Sequence, residues 1–291
     1  DGVRLDAKAG HIHLEGLRAA PVGLLFSALY TPVNAGDRRL RMMVHMVQLL
    51  KEELRDHADL LHQVRRAEDL DRDGVGILLA VEGLDLIGTD IWLLDVFHDW
   101  GVRSALLTWN ERNALADGCM DQGSGGGLSE AGKAAVRRME ELGWAPDVSH
   151  LGERSFWSMI ETARGPVIAS HSNAHAVYAH PRNLKDDQIR AVAERGGAIG
   201  LNFAPQFLAE GPATKEDMFR HLDHLLEVGG EDAVGFGSDF DGIETTPDGV
   251  SDVTAFSDLL ESLRGTYGED VARKIAGDNF RRVLRAVLRS A

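Results

Sequence analysis

The sequence predicts an α/β protein of the (β/α)8 TIM-barrel type, on two observations. Short apolar runs recur along the chain with helical pattern between them. The polar residues able to do chemistry (Glu82, Trp109, Asn110, His150, His171 and Asp239) fall at the C-terminal ends of different runs. Continuous apolar character marks strands buried on both faces, as in a parallel sheet. A barrel gathers the C-terminal strand ends into one ring, where its active site lies, whereas an open sheet would spread them along an edge.

The runs cover residues 22–30, 75–83, 102–109, 145–151, 166–172, 197–203 and 234–239. Between the first two, Leu40, Met43, Val44 and Val47 follow the i, i+3, i+4, i+7 spacing of an amphipathic helix, continued by Leu50, Leu54 and Leu61. Residues 92–100, rich in aromatics, fit helix packing. Another helix opens at Asp186, after the turn around Pro181. Thr214 is placed to cap a helix carrying Met218, Leu222 and Leu225, with His221 and His224 on its solvated side. Two helices, 252–264 and 269–288, close the chain. The strict alternation implies right-handed crossovers. The 291 residues suit one barrel of about 250 residues, and no linker divides them. The expectation is therefore a single domain over residues 1–291. Seven strands are one fewer than a barrel needs, and residue 1 is Asp rather than Met. The first strand is thus expected upstream of this chain.

Composition narrows the function. Lys and Arg number 31 against 46 Asp and Glu, a net charge of −15, which argues against binding nucleic-acid phosphates. No apolar run reaches the length of a membrane span, and no signal peptide is visible. The single cysteine, Cys119, cannot form an intrachain disulfide. A cytoplasmic protein acting on a small molecule is expected. Cys119 itself reads as a packed thiol rather than a nucleophile. The glycine-rich residues 123–127 lack a following Gly-Lys-Ser/Thr and read as a mobile loop, not a phosphate loop.

Two histidines end consecutive strands in matching contexts, Asp147-Val-Ser-His150 and Ala169-Ser-His171. Imidazoles from neighbouring strand ends can share a zinc ion. Glu82 follows four apolar residues, and a carboxylate there is costly to bury without a cation. Glu82, His150 and His171 make three ligands and leave a position for water, the pattern of a catalytic zinc. Water so activated can attack a carbonyl, with Asp239 carrying the proton to the leaving group; the nearby Asp241 reads as a loop cap. Arg182, after the strand of His171, can hold a substrate carboxylate through two parallel hydrogen bonds, or pair with Asp186 or Asp187. His175 and His180 lie off the strand. His11-Ile-His13 has no apolar strand before it and only eight residues separate His13 from the first run, so it reads as the start of a helix.

In these residues the chain resembles the membrane (renal) dipeptidase family of zinc metallopeptidases, within the amidohydrolase superfamily. The resemblance runs nearly end to end. It rests on residues 23–30, Val81-Glu-Gly83, Leu107-Thr-Trp-Asn110 with Ala116-Asp-Gly118, Asp147-Val-Ser-His-Leu151, Ala169-Ser-His-Ser-Asn173, Pro181-Arg-Asn-Leu184, Gly237-Ser-Asp-Phe-Asp-Gly242 and residues 277–284. It implies a barrel that hydrolyses dipeptides, including some with a D-residue at the C-terminal side, with two zinc ions and a bridging hydroxide. By the resemblance, Glu82 is the bridging carboxylate, His150 and His171 ligate one metal, Arg182 binds the terminal carboxylate, and Asp239 handles the proton and the substrate amine. It also implies a homodimer. Two features depart from the family. The His-x-Asp pair of the other metal is absent, so one well-liganded site is visible. Trp109 stands where many members carry a histidine that polarises the scissile carbonyl, which leaves that work to Asn110 or a metal and places both residues at the substrate. Two alternatives follow: a catalytically impaired barrel that binds amino-acid-like ligands, and a lactonase or deacetylase of the same superfamily.

Overall fold

The computed structural model describes residues 4–7, 9–121 and 125–289. Gly123 and Ser124, part of the predicted loop 123–127, lie outside them. Eight strands are present among the described residues: β1 Leu24–Tyr30, β2 Leu61–Gln63, β3 Val75–Glu82, β4 Val102–Leu106, β5 Ala145–Asp147, β6 Ile168–Ala169, β7 Ala198–Leu201 and β8 Val234–Phe236. The α-helices are α1 Leu14–Ala19, α2 Arg39–Asp56, α3 Leu93–Trp100, α4 Glu130–Glu141, α5 Glu153–Thr162, α6 Asp186–Glu194, α7 Pro205–Leu208, α8 Lys215–Gly229, α9 Phe256–Tyr267, α10 Glu269–Arg273 and α11 Asn279–Val287. Parallel strands with helices between them give the α/β TIM-type pattern the sequence predicts. All seven predicted strands are present. None of the helices is long and apolar enough to cross a membrane, among the described residues. By their contacts the residues fall into two compact units, Gly23–Ile168 with Leu284–Ala291, and Val3–Val22 with Ala169–Val283.

In the first unit β3 is the central strand, and seven of its eight residues are buried. β1 lies along one edge in parallel register, from Leu24↔Gly76 to Tyr30↔Glu82. The other edge is shared. β2 pairs with the start of β3, Leu61↔Val75 to Gln63↔Ile77, and β4 takes over from Ala80↔Ser104 to Glu82↔Leu106. β4 then pairs with β5, and β5 with β6 at Asp147↔Ile168. Leu78 of β3 packs with Val64, Leu70, Leu284 and Leu288, so the chain's last turns close this core.

The sequence reading missed β2 and extended the first helix through Leu61. In fact α2 stops at Asp56, and His57 leaves helical geometry at φ −124°, ψ 35°. A three-residue strand is too short to show a period, and Leu61 happened to continue the helical spacing. The buried face of α2 also differs from expectation. Met43 and Val47 are buried, but Leu40 and Val44 are 40% and 47% exposed. Arg39 goes inside instead, where its guanidinium donates to Thr31 and pairs with Asp85 at 3.4 Å.

In the second unit β7 and β8 pair in parallel, Ile199↔Val234 to Leu201↔Phe236. The backbone beside the end of β6 leaves no room for side chains. A Cβ on Gly200 would meet the Ser170 carbonyl oxygen at 2.1 Å, and one on Gly237 would meet it at 1.9 Å. Thr214 caps α8 as expected, in a capping box with Asp217. Of the two histidines of α8, His221 does not lie on a solvated side and His224 is half-buried. His221 is fully buried; its Nδ1 accepts from the Ala174 amide at 3.1 Å, and its Nε2 lies 3.1 Å from the Leu208 carbonyl. Burial pushes its pKa down to about 4. His224 pairs with Asp186 at 2.8 Å. Both were misread because each found a partner on another element, which periodicity does not show. The predicted last helix is interrupted at Lys274–Asp278, where Gly277 departs from helical geometry. Asn279 there donates to the carbonyls of Glu231 and Val234.

Candidate metal centre

The strands are shorter than the apolar runs, so all of the polar residues except Glu82 sit just past the strand ends rather than on them. Glu82 is the last residue of β3, while His150 follows β5, His171 follows β6 and Asp239 follows β8. In the first unit Glu82 and His150 meet. Glu82 Oε1 is 3.0 Å from His150 Nε2, with the side chains 13% and 7% exposed. The ring's other nitrogen, Nδ1, is 2.9 Å from Asn110 Oδ1, an acceptor, so Nδ1 carries the proton. Nε2 then meets the carboxylate oxygen either as the second N–H of an imidazolium or as a lone pair. Two acceptors that close repel each other unless a cation or a proton lies at them. A carboxylate oxygen and an imidazole nitrogen are donors suited to zinc, and the contact fits such an ion.

The rest of the first unit fixes this pair. His150 takes φ +68°, a region costly for a side chain with a Cβ. Its carbonyl accepts from the Cys119 amide at 2.8 Å and from Thr108 Oγ1 at 3.2 Å, which holds the strained residue in place. Cys119 is buried, with Sγ 3.6 Å from Asn110 Oδ1. Trp109 stacks on His150, ring centroids 6.2 Å apart, and contacts Tyr30 at 5.2 Å. Tyr30 lies opposite Glu82 in the register of β1 and β3. Burial, then the charge of Glu82, raises its phenol pKa.

In the second unit His171 is 8% exposed. Ser170 Oγ lies 2.7 Å from its Nδ1, and Arg182 Nη2 donates to its carbonyl at 3.0 Å. Arg182 is 4% exposed, stands over the Phe207 ring at 5.4 Å, and its Nε has no hydrogen-bond partner among the described residues. The surface pairing that spacing left open is not made: Asp186 goes to His224 and Arg190. A guanidinium stays charged in any protein, so a buried one with no carboxylate partner among the described residues is suited to an anionic group. Asp239, at φ +59°, accepts from Asn202 Nδ2 through Oδ2 at 3.0 Å. Asn202 is itself held by Asn173 in both directions, at 2.9 and 3.0 Å.

His13 caps α1, its Nδ1 accepting from the Gly16 amide at 3.0 Å, as a helix start should. His11 is bound to the loop of Asp241, whose carboxylate accepts from the His11 amide and whose amide donates to His11 Nδ1. Asp241 thus ties its loop to the His11–Ile12 backbone rather than capping the loop itself. Sequence reasoning passed over Asn173 and Asn202, although Asn173 directly follows the Ser-His-Ser run. It also passed over Tyr30, whose only signal was its place at the end of the first apolar run.

The chain matches the membrane dipeptidase family, peptidase family M19, over residues 3–291. It is similar to dipeptidase tcpJ of Claviceps purpurea (strain 20.1), with 31% identity over 300 residues, 96% of this chain and 70% of that protein. Among solved structures it is similar to dipeptidase AC, a metallopeptidase of family M19, with a TM-score of 0.91 and 32% identity over 99% of this chain and 92% of the other. It is also similar to a metallopeptidase from Rhodobacter sphaeroides liganded with a phosphinate mimic of the dipeptide L-Ala-D-Ala. That likeness has a TM-score of 0.88 and 30% identity over 98% of this chain and 92% of the other.

Proposed function

Because the chain belongs to the membrane dipeptidase family of metallopeptidases, we propose that it is a zinc dipeptidase acting on dipeptides with a free C-terminal carboxylate, D-residues included at that position. Residues 1–291 act in this reading as one hydrolase domain. The candidate ligands are Glu82, His150 and His171. The meeting of the Glu82 carboxylate and the His150 imidazole at 3.0 Å, a donor pair suited to zinc, carries the proposal. A zinc ion held there supplies Lewis acidity to the scissile carbonyl and makes water a nucleophile near neutral pH.

The chain's own residues do the rest. Asn110 holds the His150 tautomer that leaves Nε2 as a donor to metal, a support typical of metal-bound histidines. Arg182 binds the substrate's terminal carboxylate; its buried charge and unpartnered Nε favour this over a lactone, which offers no such group. Asp239 keeps Oδ2 on Asn202 and uses Oδ1 to take a proton from the attacking water and return it to the leaving amine. Tyr30 and Trp109 form the aromatic wall beside Glu82 and His150.

The test is metal analysis combined with a dipeptide panel. Chelated protein should be inactive and recover on zinc addition, with L-Ala-D-Ala and L-Ala-L-Ala cleaved and their C-terminal amides spared. Glu82→Gln, His150→Ala and His171→Ala should each lose bound zinc. Undiminished turnover without metal, or zinc retained in all three variants, would refute the proposal.

A further inference from the structure

A cavity lined by charged and polar residues lies in the first unit, toward the start of the strands from Glu82. It has a volume of about 410 Å³ and is lined by Gln63, Arg65, Arg66, Asp69, Arg72 and Arg103. Gln63 pairs with Ile77, near the start of β3, and Glu82 ends the same strand. Along β3 five residues, roughly 16 Å, separate the level of Gln63 from Glu82, while Arg103 lies beside the Leu79–Ala80 step. We propose that this cavity is a binding site for a small phosphate-bearing anion, separate from the hydrolytic centre.

Part of the arginine cluster has a structural role. Gln63, Arg65 and Arg103 donate to the carbonyls of Trp100, Asp99 and His98, the last turn of α3. Arg103 Nε also donates to the Arg65 carbonyl at 2.6 Å. Carbonyl dipoles do not cancel formal charge, however. Four guanidinium groups face one lining carboxylate, Asp69, whose Oδ2 is already taken by the Arg65 and Arg66 amides. The remaining approach, Arg72 to Asp69 Oδ1, is a loose 3.9 Å. Nearby, Asp99 is exposed and Asp71 is engaged by Arg285. The Arg65 Nε is buried without a hydrogen-bond partner among the described residues. Burial, then the neighbouring Arg65, pushes Arg103 down to about 10 against the opposing charges of Asp69 and Asp99.

This concentration of positive charge stands in a chain of net charge −15, so no general basic character explains it. Guanidinium forks match phosphoryl oxygens two at a time, and four arginines lining one cavity suit a multiply charged anion better than a single carboxylate. The volume suits pyrophosphate or one mononucleotide rather than a polymer.

The test is calorimetric titration of the zinc-loaded enzyme at low salt, where screening is weak. The probes are inorganic phosphate, pyrophosphate, ADP, citrate and a short RNA. Saturable binding of one pyrophosphate or ADP, tighter than citrate, is expected. Arg66 and Arg72 are both exposed, so the double variants R66A/R72A and R66E/R72E should fold. Each should bind at least about tenfold more weakly, with dipeptide hydrolysis unchanged. Inorganic phosphate and pyrophosphate responding without ADP would indicate a free inorganic anion as the ligand, and ADP binding more tightly would indicate a nucleotide; either supports the site. The proposal is overturned by no saturable binding up to about 10 mM, by equal affinity in both variants, by citrate binding as tightly as pyrophosphate, or by binding of the RNA alone.

Discussion

Replacing Arg182 with Met separates recognition of the substrate from the hydrolytic chemistry. The side chain is 4% exposed, donates to the His171 carbonyl at 3.0 Å and leaves Nε unused. Methionine fills similar volume without the charge. Removing a buried guanidinium relieves a desolvation cost, while the His171 carbonyl loses a donor at about 1–3 kcal/mol. These effects oppose each other, so the net stability change should stay within about 2 kcal/mol. Recognition has no such offset. Two hydrogen bonds to a charged carboxylate, at about 1.5 kcal/mol each, give about 3 kcal/mol, or roughly a 150-fold loss in kcat/KM. The assay compares L-Ala-D-Ala with its C-terminal amide in both proteins. The wild type should prefer the acid strongly, and in R182M the preference should collapse because only the acid loses its partner. A variant that folds, binds zinc and keeps the wild-type preference would refute the assignment of Arg182 to the carboxylate.

Asn110→Ala removes the acceptor that holds His150 Nδ1–H, and zinc affinity measured by competition with a chromogenic chelator should fall about 10–100-fold. Unchanged affinity would show that the amide does not orient the ring. Gly237→Ala places a Cβ 1.9 Å from the Ser170 carbonyl oxygen, beside His171, where only backbone movement can relieve the clash. A loss of about 2–3 kcal/mol is expected, a fall in Tm of roughly 5–10 °C by calorimetry; a wild-type Tm would contradict the packing described. His221 contributes a pH dependence. Its folded pKa is about 4 against an ordinary 6.5, so between these values the unfolded chain binds more protons. Stability should therefore fall as pH drops through 6.5 and level off below about 4, by up to about 3 kcal/mol. Urea unfolding from pH 4 to 7 should show this component in the wild type and not in His221→Gln, and identical slopes would rule it out.

Much of the fold was legible because parallel strands write themselves as apolar runs, and all seven predicted runs contain strands. Glu82, His150, His171 and Asp239 were legible because a polar residue at the end of such a run needs a reason to be there. β2 was not, since Leu61–Gln63 is too short to carry a period and merely prolonged the pattern of α2. Nor was the inward turn of Arg39 while Leu40 and Val44 stayed exposed, because a helix buries whichever face its neighbours cover. The fully buried His221 shows the same limit: its partners, Ala174 and Leu208, are 47 and 13 residues away.

The order of residues along the chain thus determined which chemistry is present and on which strand ends. Tertiary contacts determined the state of each group. Asn110 became the partner of His150 Nδ1 across 40 residues, Asn202 the partner of Asp239 across 37, and Arg182 a buried cation without a carboxylate rather than a surface ion pair. Hydrogen-bond partners, protonation and burial depend on distances between segments remote in sequence, and a local pattern of side chains carries no record of those distances.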